Sequence, residues 1–162
     1  PDVPRHARLP AAREPGRAAS DVYKRQGSSD DVLSGGSGND RLLGGAGANQ
    51  FVFSSGQPFA AENLGIDTIV DFKPGTDKIS LDPTTFAALA GSQVQGTIPE
   101  TAFAIVATDA DAATSEAIIV QSQSGKLFYN SNGAEAGFGN GAQFAELLGG
   151  ATLTTNDLIL QA

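Results

Sequence analysis

G-S-S-D-D-V-L-S (Gly27–Ser34), G-G-S-G-N-D-R-L-L (Gly35–Leu43) and G-G-A-G-A-N-Q-F-V (Gly44–Val52) repeat one nine-residue unit, the first without its opening glycine. Glycines recur at Gly27, Gly36 and Gly45, and again at Gly38 and Gly47. A short oxygen-bearing side chain recurs at Asp31, Asp40 and Asn49, and a large apolar residue two places later at Leu33, Leu42 and Phe51. The unit is G-G-x-G-x-D-x-U-x with U apolar. A flexible glycine linker has no reason to set large apolar side chains every nine positions in phase with acids.

The spacing suits a hard divalent cation. Calcium takes roughly six to eight oxygen ligands at ~2.3–2.6 Å, many of them backbone carbonyls. Glycines let the loop backbone take positive φ and turn its carbonyls toward one point. The three residues after the acid make a minimal strand whose middle side chain points inward. Two units then form one coil of a parallel β-roll, and loops two units apart stack with the metal between them. Asp31 and Asn49 fall in one column of loops and Asp40 in the other. The candidate calcium-binding positions are Asp31, Gly36, Gly38, Asp40, Gly45, Gly47 and Asn49. Asn49 keeps an oxygen but lacks the charge, so its site should be the weaker one; affinities of ~10⁻⁴–10⁻³ M are expected for an extracellular module.

The chain of 162 residues is 40% apolar and 17% charged, enough for one domain with a modest core. Cysteine is absent, which excludes disulfides, thiolate chemistry and cysteine-ligated zinc. A bound metal is the usual substitute staple. Net charge is −8, unevenly spread. Six of the ten basic residues lie in residues 1–26, leaving four against fifteen acids in the rest. Such a body repels nucleic acid and anionic membrane and attracts divalent cations. No apolar run is long enough for a membrane-spanning helix, and no N-terminal secretory signal is visible. Residues 1–26, Pro- and Arg-rich and without period, read as a disordered or non-native leader. The first repeat, with Gln26 in place of its first glycine, reads as cut in its middle.

The fold class expected is mainly β: a short parallel β-roll at 27–65, then a β-rich C-terminal cap at 66–162 with two short helices. Ile66–Asp82 reads as two strands joined by a hairpin turn at Lys73–Thr76, flanked by Asp71 and Asp77. Asp82-Pro83 carries a helix-start signal, with the helix ending at Gly91. Strands are expected at Ala102–Ala107, Ala117–Gln121 and Lys126–Asn130, with a hairpin loop before Lys126, and a helix at Gln143–Leu148. Asp109, Asp111 and Glu116 read as a solvated acidic loop, and Asn130 and Asn132 as turn residues.

From Gly27 onward the chain resembles the RTX (repeats-in-toxin) proteins of type I secretion. D-T-I-V-D-F-K-P-G-T-D-K-I-S-L (Asp67–Leu81) is similar to the segment that closes the roll in serralysin-type proteases. The resemblance implies that Asp67 helps to close the last metal site with Asp40; the acid found about seven residues earlier in those proteases is replaced by Ala60, with Glu62 nearby. Ala117–Gly133 and Ala142–Gly149 look like the C-terminal cap of bacterial RTX proteins, with Asn130 and Asn132 where aspartates are usual. Asp157–Leu160 resembles an uncleaved type I export signal. The resemblance implies a secreted, extracellular, monomeric calcium-binding module that passes a type I secretion exporter and serves an upstream cargo. No catalytic motif is present, and the lone His6 lies in the leader. The alternatives are the end of a secreted serralysin-like metalloprotease or other hydrolase, or of a calcium-rigidified surface or adhesion protein.

Overall fold

A computed structural model describes residues 23–25, 27–91, 96–133 and 135–161. After each loop acid comes a strand with one inward side chain: Val32–Ser34 (β2), Arg41–Leu43 (β3) and Gln50–Phe53 (β4). Leu33, Leu42 and Phe51 are 2%, 0% and 0% exposed, whereas Val32 beside them is 66% exposed. Consecutive strands enter opposite sheets. β2 pairs in parallel with β4, Leu33 against Phe51. This is the coil that the nine-residue spacing predicts.

The roll continues beyond its glycine repeats. Asp67–Ile69 (β5) pairs in parallel with β3, and Lys78–Leu81 (β6) in parallel with β4. Phe51 sits against Ile79, and Leu42 against Ile69. The expected hairpin over Ile66–Asp82 is therefore corrected: its two strands lie in different sheets, and the segment between them is a loop of the roll. On the other side, Tyr23–Arg25 (β1), inside the stretch read as a leader, pairs in parallel with β3. The rest of that stretch lies outside the described residues.

Beyond the roll the strands are Phe103–Val106 (β7), Ile119–Ser122 (β8), Lys126–Tyr129 (β9), Gln143–Leu147 (β10) and Leu158–Leu160 (β11). β8 and β9 form the expected antiparallel hairpin. β7 runs parallel to β8. β10 lies between roll and cap, antiparallel to β9 and parallel to β5. One seven-stranded sheet thus runs β1-β3-β5-β10-β9-β8-β7, and a four-stranded sheet runs β11-β6-β4-β2.

Both expected helices are corrected. Gln143–Leu148 is strand β10: a bulge between Gln143 and Ala145 breaks the alternation and brings Phe144, Ala145 and Leu147 all to the interior. A helix there would leave the backbone edges of β5 and β9 without partners. At Asp82 the capping chemistry exists, since its carboxylate accepts from Thr84 N and Thr85 Oγ1, each at 2.9 Å. Thr85 is held against Ser55 N at 3.0 Å, and the chain makes one turn followed by a 3-10 helix at Ala87–Leu89. The two short helices are instead Ala61–Leu64 (α1) and Asp109–Ala112 (α2). α2 opens with a capping box, Thr108 Oγ1 accepting from Asp111 N and Asp111 Oδ2 from Thr108 N. Asp109 and Asp111, expected in a loop, form this helix.

An aromatic chain ties roll to cap. Phe53 on β4 meets Phe144 on β10 at 5.1 Å between ring centroids, Phe144 meets Phe86 at 5.1 Å, and Phe86 meets Tyr129 at 5.1 Å. All four are buried. Edge-to-face pairs such as these add about 0.5–1.5 kcal/mol each beyond the burial of their area. No helix among the described residues is long and apolar enough to cross a membrane.

Candidate metal centre

Each strand of the roll is preceded by a short polar side chain, and these side chains form two ladders. In one, Asp31 N donates to Asn49 Oδ1 at 3.2 Å, and Asn49 N donates to Asp77 Oδ1 at 2.9 Å. In the other, Asp40 N donates to Asp67 Oδ1 at 2.9 Å. Each oxygen ligand candidate thus holds the amide of its counterpart in the preceding coil. Asp40, Asn49, Asp67 and Asp77 are 3% exposed or less. The structure therefore brings Asp31 together with Asn49, and Asp40 together with Asp67. It adds Asp77, which the sequence places only beside a turn. The signal was available: counted from the strand start, Asp77 stands before β6 as Asn49 stands before β4.

The glycines divide into two kinds. Gly36, Gly38, Gly45 and Gly47 have φ of 89°, 100°, 84° and 103°, the left-handed region that side chains disfavour. The first glycine of each unit is needed for space instead. A Cβ on Gly35 would stand 2.3 Å from Asp67 Oδ2 and 2.9 Å from Asp40 Oδ2, so both carboxylates converge on the place it leaves free. A Cβ on Gly44 would meet the Asn49 amide at 2.7 Å. Stacked loops touch directly: a Cβ on Gly47 would lie 2.5 Å from Ser29 O.

The donor set fits a calcium ion. Asp31 Oδ2 is shielded from solvent and accepts no hydrogen bond. A buried carboxylate oxygen with no donor is costly unless a cation or water meets it. Among the described residues no three acidic or histidine side chains form a cluster. A site here would draw its remaining oxygens from loop carbonyls, which calcium accepts readily. Asp31 and Asn49 with the Gly45–Gly47 loop could hold one ion, and Asp40 and Asp67 with the Gly36–Gly38 loop another. An open cleft of about 620 Å³ lies beside the second, between Gly36–Ser37 and α1, and Glu62 lines it.

Two further acids work differently. Asp71 takes both Gly44 N (2.9 Å) and Gly45 N (2.7 Å), clamping the start of the third repeat. In the cap, the hydrogen bond from Lys126, with others from Ser122 and Ser124, holds the Asp109 carboxyl down at about 2. Asn130 donates to Ser115 O (2.7 Å) and Gly133 O (2.9 Å), the turn role expected of it.

The family model of the RTX calcium-binding nonapeptide repeat (4 copies) matches residues 26–59. No curated protein matches the chain.

Proposed function

From the premise that residues 26–59 are hemolysin-type RTX calcium-binding repeats, we propose that the chain is a non-catalytic module that folds on extracellular calcium and directs the export of an upstream cargo. The observation that carries the reading is the pair of ladders, in which every rung places a carboxylate or amide oxygen against the loop of the coil before it.

In the calcium-poor cytosol these oxygens repel one another, and three-residue strands bury too little apolar surface to order their loops. The chain stays unfolded and passes a type I exporter. Outside, millimolar calcium binds only the folded roll and stabilises it by mass action, by about 1.4 kcal/mol per site at tenfold excess over Kd. Strand β11 bears on export too. Leu158 and Leu160 are buried against β6 in the folded chain, so an export signal at Asp157–Leu160 is readable only before folding.

A calcium titration from EDTA to ~10 mM, followed by circular dichroism, tests the folding half. The strand signal should appear with calcium; an identical spectrum throughout would sink the reading. For the export half, a passenger fused ahead of Gly27 should reach the medium of cells bearing a type I exporter. Retention of the passenger in such cells counts against it.

A further inference from the structure

The second rung of the Asp31–Asn49–Asp77 ladder is built unlike the first. In the lower coil, the Gly27 carbonyl accepts a main-chain hydrogen bond from Ala46 N at 3.2 Å. The equivalent carbonyl one coil on is Gly45 O. Counted back from the strand, with Asn49 matched to Asp77, the residue that should donate to it is Pro74. Proline has no N–H to give. The Lys73 ammonium takes over, donating to Gly45 O at 2.5 Å. Around it, Asp71 grips Gly44 N and Gly45 N, and Asp77 Oδ2 accepts from Lys73 N at 2.8 Å. One covalently attached positive charge sits on a loop carbonyl at this rung, and two carboxylates hold the rung's backbone amides.

We propose that Lys73 is a built-in cation that closes this rung in place of a calcium ion, so that the loops Gly44–Asn49 and Val70–Asp77 are locked without metal. The inference rests on the calcium-binding reading of the repeats. Asn49 belongs to both rungs: its Oδ1 accepts Asp31 N at 3.2 Å in the one below, and its N donates to Asp77 Oδ1 at 2.9 Å in the one above.

The test counts calcium ions bound per chain at saturation, by equilibrium dialysis of the full chain, for wild type, Lys73→Met, Lys73→Gln and Lys73→Arg. Circular dichroism in the same buffer reports folding. Removing the ammonium should let one further ion bind in Lys73→Met and Lys73→Gln, while Lys73→Arg keeps the wild-type number. Folding of Lys73→Arg alone would equally show that the rung needs a fixed cation. Folded Met and Gln variants with the wild-type number of ions overturn the proposal. If wild type binds no calcium at all, it is the calcium-binding reading that fails.

Discussion

Replacing Asn49 by aspartate should make the chain less stable without calcium and more stable with it. Asn49 is 1% exposed, and its Oδ1 takes the Asp31 amide at 3.2 Å. Its Nδ2 has only a long contact, 3.5 Å to Gly47 O. In Asn49→Asp the first bond survives, while the second becomes an oxygen facing an oxygen. The new charge lies one coil from Asp31. Neighbouring strands are ~4.8 Å apart, and two unit charges about 5 Å apart at an effective dielectric of 20 repel by about 3 kcal/mol. Calcium-free stability should therefore fall by up to about 3 kcal/mol, less where solvent reaches Asp31. A dication between the two carboxylates reverses the sign. An added charged ligand should tighten the site at least about tenfold, or about 1.4 kcal/mol. Isothermal titration calorimetry gives the affinity, and urea unfolding in EDTA and in saturating calcium gives both stabilities. A variant that binds calcium no more tightly than wild type refutes the placement of Asn49 as a ligand.

Gly47→Ala forces a side chain into φ of 103° and against Ser29 O at 2.5 Å; it should cost about 2–4 kcal/mol in saturating calcium, read as a lower urea midpoint with unchanged slope. Asp77→Ala removes the acceptor of two backbone amides, those of Asn49 and Lys73, and should cost about 2–5 kcal/mol, read by urea unfolding in saturating calcium. A cost below ~0.5 kcal/mol would place Asp77 outside the roll. Asp109, held below its ordinary 3.8 at about 2 first by the hydrogen bond from Lys126, contributes stability that is fully present above pH 4 and is lost as pH falls through about 2. Asp109→Asn should flatten that part of the stability-versus-pH curve and change little at pH 7, because the pair is partly exposed.

The roll was legible because its period is carried by side chains. The positions of Leu33, Leu42 and Phe51 define which strands share a sheet, and Asp31, Asp40 and Asn49 define which loops stack. What followed the repeats was harder. β5 and β6 keep the coil geometry without its glycines, so Lys73–Thr76 looks like a local turn and Asp77 like its flank. Phe144, Leu147 and Leu148 have helical spacing, and only the partners on either side, β5 and β9, make that segment a strand. Those partners lie far away in the chain, beyond the reach of a local pattern. At Asp82 the local signal was chemically right and ended after one turn, because Asp82 is tied back to Ser54 and Thr85 to Ser55.

Strand β5 has one neighbour from each half of the molecule: β3 of the repeats on one side and β10 on the other. Asp67, which opens β5 and holds Asp40 N, is the residue that Ala145 pairs with. The second metal rung therefore cannot reach its final geometry until a segment far along the chain has returned to it. Closing so large a loop is slow compared with the zipping of one coil onto the next. By that reasoning the Asp40–Asp67 rung should form at the pace of β10 docking and not at that of the repeats. An ion held between Asp40 and Asp67 would therefore be coupled to the docking of β10, a strand that shares no sequence with the repeats.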